Sequence, residues 1–378
     1  MPRESQPSHP PAIETLERGL TDHPEAWDDW QVYADALAQA GDPRGELIGI
    51  GVALARGEGK PKQLEKREAE LLQANADAWF GKFVSQDDWR ECFGWTLQTG
   101  FWGRIRFWVD YDHTGTDIPK ALAYALGHPS AKFLRQLDLG LTSAEGEADY
   151  AGCIRTLIKH GPLPSLRRMT IGDFEHPEES EISWVAVGDV GKLWPLVPNL
   201  EQLVLRGANI RLGKPKSARL RSLELRTGGL PAAAGESLAH AELPALEHLL
   251  VWFGTENYGG SCSAAHVRGI LSNPAFARLR SLGLANADFA DEIAGEVARA
   301  KLPPELATLD LSMGTMSDAG AELLLGAAGS LARLEQIDLR RNYLSAGMCT
   351  RLRRALPMVQ VGDQRRGDDD NRYVSVGE

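Results

Sequence analysis

A unit with apolar residues at its first, fourth and sixth positions recurs ten times between residues 102 and 361 of this 378-residue chain. It reads Trp102/Ile105/Phe107, Leu134/Leu137/Leu139, Leu166/Met169/Ile171, Leu200/Leu203/Leu205 and Leu220/Leu223/Leu225. It continues as Leu246/Leu249/Val251, Leu279/Leu282/Leu284, Leu306/Leu309/Leu311, Leu334/Ile337/Leu339 and Leu356/Val359/Val361. Successive starts lie 32, 32, 34, 20, 26, 33, 27, 28 and 22 residues apart. The alternation at positions four to six suits a short strand whose neighbouring side chains point to opposite faces. One such unit has too few apolar side chains for a core, so units must stack on one another. Parallel stacking requires each chain segment to return along the other side. The 3.6-residue pattern predicts return helices at Ala290–Ala300, Asp318–Ala328 and Ala346–Leu356. The 20-residue unit leaves no room for a helix and is expected to return extended.

This pattern resembles the leucine-rich repeat, and the long returns resemble the ribonuclease-inhibitor-like class. The resemblance implies an α/β fold: a leucine-rich-repeat solenoid with a curved parallel sheet and mostly helical returns over residues 99–361. The family often carries Asn three residues after the last strand leucine. Here Asn342, followed by Leu344, fills that position; elsewhere it holds Asp110, Thr142, Phe174, Ala208, Gly228, Gly254, Ala287 or Gly314. A continuous asparagine ladder is therefore not expected.

Residues 12–98 read as helix. Ile13, Leu16 and Leu20 share one face, and Trp27, Trp30, Tyr33, Ala34 and Leu37 share a second that Gly41-Asp42-Pro43 terminates. A third helix begins near Glu46, and a fourth covers Leu64 to Phe80 after a basic, Gly-rich link. Val32–Ile48, with Gly41-Asp42-Pro43-Arg44-Gly45-Glu46 at its centre, resembles the bacterial repeat-companion domain found ahead of leucine-rich repeats. Ala36 stands where that domain usually has Trp, and Trp27 and Trp30 are expected to fill the volume. The resemblance implies a small all-α cap and no activity. Asp35 and Arg44 are expected to pair across the turn, with a ligand site on those two residues as the alternative. Residues 1–11 and the charged stretch 362–378 read as disordered.

Net charge is −11, from 41 basic and 52 acidic residues, so nothing draws the chain to nucleic acid or to anionic membranes. The apolar fraction is 43 %, yet no apolar run approaches the length of a membrane span. Cys92, Cys153, Cys262 and Cys349 form no CxxC pair, which points to reduced thiols in a cytoplasm. Gly49-Ile50-Gly51, Gly59-Lys60 and Gly191-Lys192 lack the rest of any nucleotide-binding motif. Ser261-Cys262-Ser263 with His266 imitates a nucleophile and base, but Ser263 reads better as the N-cap of a return helix. No cofactor and no catalytic residue is assigned.

A non-catalytic protein-binding module or scaffold, using the concave sheet face, fits these features best. A regulatory or inhibitory subunit of a partner enzyme is the alternative. Residues that alternate with the strand leucines should form columns on that face. The column before the last strand leucine reads Arg106, Asp138, Thr170, Val204, Glu224, Leu250, Gly283, Asp310, Asp338. The column after it reads Trp108, Gly140, Gly172, Arg206, Arg226, Trp252, Ala285, Ser312, Arg340. Arg206, Arg226, His248, Leu250 and Trp252 are the candidate contact residues, because Trp and Arg most often dominate interface energy. The competing structural reading folds Trp252 under the loop Phe253–Ser261 and pairs Arg226 with Glu224.

Overall fold

In the computed structural model, residues 11–110, 112, 115–144, 148–367 and 371–377 are described. The expected arm at residues 1–11 lies outside them except for Pro11, which opens the first helix. The chain divides into two compact units. The first takes in residues up to Phe107, Gly115–Leu137 and Leu163–Leu166; the second takes in the rest.

The first unit begins with α1 (Pro11–Asp22), α2 (Trp27–Gln39), α3 (Arg44–Arg56) and α4 (Pro61–Ala74). Three short helices follow: α5 (Ala76–Phe80), α6 (Lys82–Ser85) and α7 (Asp87–Glu91). The helical expectation fails after that. Residues 93–98 form β1 (Phe93–Gln98), which pairs antiparallel with β2 (Phe101–Phe107). The sequence boundary at 98/99 thus falls at a hairpin turn, where Thr99 and Gly100 both have positive φ, as a tight two-residue hairpin loop requires. The unit continues with α8 (Ile118–Leu126), capped by Asp117, whose carboxylate accepts the Lys120 N–H at 3.0 Å. Two aromatic clusters fill the unit. Trp30 packs on Tyr33, Phe101 and Phe133, with Trp27 and Ala36 against the same core. Phe83 stacks on Phe93 at 3.8 Å and meets Trp102 and Phe107 of β2. The first repeat is therefore built into the helical unit.

Four of the six residues Gly41–Glu46 show their task in their contacts. Gly41 takes a left-handed φ of 78°, which lets the Asp42 N–H reach Leu37 O (2.9 Å) and the Gly41 N–H reach Ala38 O (3.0 Å), closing α2. The Asp42 carboxylate accepts the Arg44 N–H at 2.9 Å and starts α3. Glu46 pairs with Arg67 of α4 at 2.7 Å. The expected Asp35–Arg44 pair does not form. Asp35 is exposed and accepts from Gln31 one turn earlier, at 3.0 Å. Arg44 points inward instead: 6 % exposed, it donates to Ser130 Oγ at 2.7 Å and lies 4.9 Å over the Phe101 ring. Burial lowers its pKa, against the opposing pull of the Asp42 carboxylate.

The second unit carries the latter half of β3 (Gln136–Leu139), then β4 (Ala148–Asp149), α9 (Ala151–His160), β5 (Arg168–Ile171), β6 (Val185–Ala186), β7 (Gln202–Arg206) and β8 (Ser222–Arg226). It goes on with α10 (Ala232–Ala239), β9 (His248–Gly254), α11 (Ala264–Leu271), β10 (Ser281–Ala287), α12 (Ala290–Arg299) and β11 (Thr308–Asp310). Last come α13 (Asp318–Gly326), α14 (Ala328–Leu331), β12 (Gln336–Asp338), α15 (Ala346–Ala355) and β13 (Val359–Gln360). From β5 to β13 the strands of the main sheet pair in parallel, each with the next repeat. The register aligns the fourth position throughout: Met169, Leu203, Leu223, Leu249, Leu282, Leu309, Ile337 and Val359 stand side by side. Helices α10 to α13 pack each on the next behind the sheet. The 20-residue unit returns extended, through bridges Ala186↔Ala208 and Asp189↔Arg211. The preceding unit also lacks an α-helical return, because Pro177, Pro195 and Pro198 remove helix donors along it.

The stretch 362–378 departs from the disordered expectation wherever it is described. Val374 and Val376 are buried at 8 % and 9 % exposure, and Gln364 Nε2 donates to Leu339 O at 2.9 Å. Valines at alternate positions in a charged segment supply enough apolar surface to dock, which composition alone conceals.

No disulfide joins the four cysteines. Burial pushes the Cys262 thiol up to about 11, and Cys349 also shifts upward for the same reason. Denatured, unreduced protein is expected to titrate four thiols with Ellman's reagent. In the native protein, Cys262 should label slowly at pH 8 and speed up as pH approaches 11, because only the thiolate attacks. Labelling of native Cys262 at pH 8 as fast as in the denatured chain would contradict that.

Candidate protein-binding face

The outward columns form as the alternation requires. Val204, Glu224, Leu250, Gly283, Asp310 and Asp338 stand in one row across β7 to β12. Gln202, Ser222, His248, Ser281, Thr308 and Gln336 form the row before it. Burial alternates along β7, β8 and the first part of β9, with leucines inward and these residues outward.

The five candidates lie on three neighbouring strands but have unlike surroundings. Trp252 is half-buried on the sheet, while the next residue, Phe253, turns into the core beside Phe289. The loop after β9 runs instead toward Gly228 and Leu230, through Thr255 N–H to Gly228 O (2.8 Å) and Ser261 N–H to Leu230 O (3.0 Å). The Arg226 guanidinium lies 5.8 Å from the Trp252 ring centroid, a cation–π geometry. It also binds Glu224 Oε2 through Nη2 at 2.6 Å, with both side chains about one-third exposed or less. Arg226 is thus paired and held over the tryptophan at once. Leu250 is half-buried and His248 exposed on the same strand.

Arg206 differs. Its guanidinium donates to the Phe174 carbonyl and lies over the Phe174 ring at 5.4 Å, tying β7 to the turn after β5. Burial lowers its pKa, and the nearby charge of Arg226 adds to the effect. Its partners make it a structural residue more than a contact.

The geometry adds an acidic end to the face. A shallow hollow is lined by Glu224, Arg226, His248 and Leu250 on one side and by Thr308, Asp310, Gln336 and Asp338 on the other. Asp310 is raised above the usual carboxylate range, first by burial and then by neighbouring Asp338, against hydrogen bonds from Ser312. Asp338 is matched by Arg340, Nη2 to Oδ2 at 2.6 Å. The columns written from the sequence already contained both aspartates, and their adjacency was the signal available. At Ser261–His266, the Ser263 N–H donates to His266 Nδ1 at 3.1 Å in a capping box, and the Cys262 thiol is shifted away from the reactive thiolate. Among the described residues, no cluster of His, Cys, Asp and Glu is placed to hold a metal ion, and no helix is long and apolar enough to cross a membrane.

In fold, the chain is similar to a protein of Bacteroides fragilis. That crystal structure aligns with a TM-score of 0.63 and 25 % identity, covering 84 % of this chain and 87 % of the other. An internalin of Listeria monocytogenes aligns at 0.31 and 15 % identity, over 67 % of this chain and 72 % of that one. No family model matches the chain, and no curated protein matches it.

Proposed function

We propose that this is a leucine-rich-repeat solenoid of the ribonuclease-inhibitor-like class, fronted by a repeat-companion domain, that acts as a non-catalytic protein-binding scaffold. The carrying observation is Trp252, a large aromatic side chain half-buried on the outward side of the sheet with Arg226 over it and Leu250 beside it. Packing of the repeats gives an outward tryptophan no task, whereas interfaces concentrate their energy in such residues. The hollow with Asp310 and Asp338 gives the face two electrostatic ends. The partner fitted to it presents an apolar or acidic group to Trp252 and Arg226 and a basic group to the aspartates. Cysteines that stand as thiols support a reducing compartment such as the cytoplasm.

The test is affinity capture from the native cell extract, followed by quantitative binding with variants. Trp252→Ala and Arg226→Ala are each expected to weaken binding by about 2 kcal/mol while leaving the melting temperature nearly unchanged. Unaltered binding by both variants, or a large fall in the melting temperature of Trp252→Ala, would overturn the assignment. If the captured partner is an enzyme whose rate changes on binding, the protein is instead a regulatory subunit.

A further inference from the structure

Beyond the sheet face lies a second surface, formed by the end of β10 and by the turns that follow β8, β9, β11 and β12, and the chain's own segment Arg372–Gly377 lies on it. The segment crosses the repeats in reverse order. Tyr373 exchanges hydrogen bonds with the Tyr343 hydroxyl, the N–H donating at 2.9 Å and the carbonyl accepting at 3.1 Å. Ser375 N–H donates to Met313 O at 2.9 Å. Val376 is held at both backbone atoms by one buried side chain: its N–H donates to Asn286 Oδ1 (2.9 Å), and its carbonyl accepts from Asn286 Nδ2 (2.6 Å). Asn286 is fully buried and has a left-handed φ of 52°, one residue before the position where the repeat family places its ladder asparagine. Its amide therefore serves the crossing segment and not the next repeat. At the far end Gly228 lets the chain in: a Cβ there would run into the Gly377 carbonyl, and its three nearest atoms all belong to Gly377.

Main-chain pairing plus pockets for alternate side chains is how proteins receive extended peptides. We infer that the end of β10 and the turns after β8, β9, β11 and β12 form a receptor for an extended Val-x-Val peptide, occupied in cis by Arg372–Gly377. Only two apolar side chains of the segment are buried, Val374 and Val376, against a leucine in nearly every position of the repeat core. Release of the segment thus precedes any loss of the repeats, as for other lightly packed elements. The inference stands apart from the Trp252 face, since it concerns the turns and the end of β10 and not the outward columns of the strands.

The experiment uses the full chain and a fluorescein-labelled peptide, RYVSVGE, copying Arg372–Glu378. In the wild-type protein the cis segment outcompetes the peptide, so anisotropy should show no saturable binding. With Val374→Asp and Val376→Asp combined, the peptide is expected to bind at least about tenfold more tightly, because the tethered competitor is gone. Adding Asn286→Ala to that variant should abolish binding, and a peptide carrying both Val→Asp changes should not bind at all. Gly228→Ala gives a second route, since its added methyl runs into the docked Gly377 carbonyl and leaves the valines intact. It too should open the site, here to an amidated peptide that stops at Val376, RYVSV, which lacks the glycine that the methyl would meet. Hydrogen exchange on the wild type should show the Ser375 and Val376 amides protected. Fast exchange there, or peptide affinity no better for either variant than for the wild type, overturns the inference. A wild-type dimer that Val374→Asp with Val376→Asp dissolves would place the segment on a second copy and overturn the cis arrangement.

Discussion

Gly45→Ala is expected to destabilise the first unit by about 3 kcal/mol or more, at the upper end of overpacking costs. A Cβ at Gly45 would lie 2.5 Å from Ala34 O and 2.6 Å from Ala38 N. Those are backbone atoms of α2, so no rotamer change relieves the contact and the two helices must separate. Separation opens the core around Trp30, Tyr33 and Leu37 and withdraws Arg44, the neighbouring residue, from Ser130. Gly49→Ala supplies the control within the same helix. A Cβ there meets nothing within 4 Å, so the variant should be more stable than wild type by roughly 0.5–1 kcal/mol, the helix propensity difference. Urea unfolding followed by tryptophan fluorescence reads both, since Trp30 and Trp79 are buried in this unit. Equal midpoints for the two variants would show that the α2–α3 approach does not constrain position 45.

Asn342→Ala should cost the second unit about 2–4 kcal/mol, the price of several buried hydrogen bonds lost together. The side chain is fully buried. Its Oδ1 accepts the Met316 N–H at 3.1 Å, and its Nδ2 donates to Leu311 O at 2.9 Å and Leu339 O at 3.1 Å. Leu339 O keeps a second donor in Gln364, but the Met316 and Leu311 groups lose this partner where water does not replace it. Asn342→Asp should be no better, because it retains the acceptor, loses both donations and buries a charge. Hydrogen exchange at Met316 offers a local readout: its amide should exchange far faster in Asn342→Ala. A melting curve and a Met316 amide unchanged from wild type would show that the ladder position is dispensable here.

Much of the architecture could be read from residues alone. The Leu-x-x-Leu-x-Leu spacing placed strands β5 and β7 to β13 and their inward leucines, because a two-residue period leaves little choice of face or register once one side is buried. Return helices α12, α13 and α15 fell within one or two residues of the expected bounds. The outward columns followed from the same alternation, which is why Arg226, Leu250 and Trp252 were found together. Charged side chains were harder. Arg206 and Arg226 look alike in sequence, yet one closes on a carbonyl and the other on an aromatic ring and a carboxylate.

Local chemistry thus determined the repeats, the helix stops and the cap at Ser263, since each depends on neighbours within a few positions. Tertiary structure alone decided what distant segments do. Residues 93–98 became a strand because Phe93 and Trp95 find β2 and the aromatic cluster to pack on, overriding a weak helical tendency. Arg44 turned inward because Ser130, 86 residues away, and Phe101 await it, where the turn itself suggested Asp35. Arg372–Gly377 is ordered by an asparagine 90 residues earlier. Its charged composition reports the cost of folding alone, whereas its two valines and paired backbone find their compensation in a groove that exists only after the repeats have stacked.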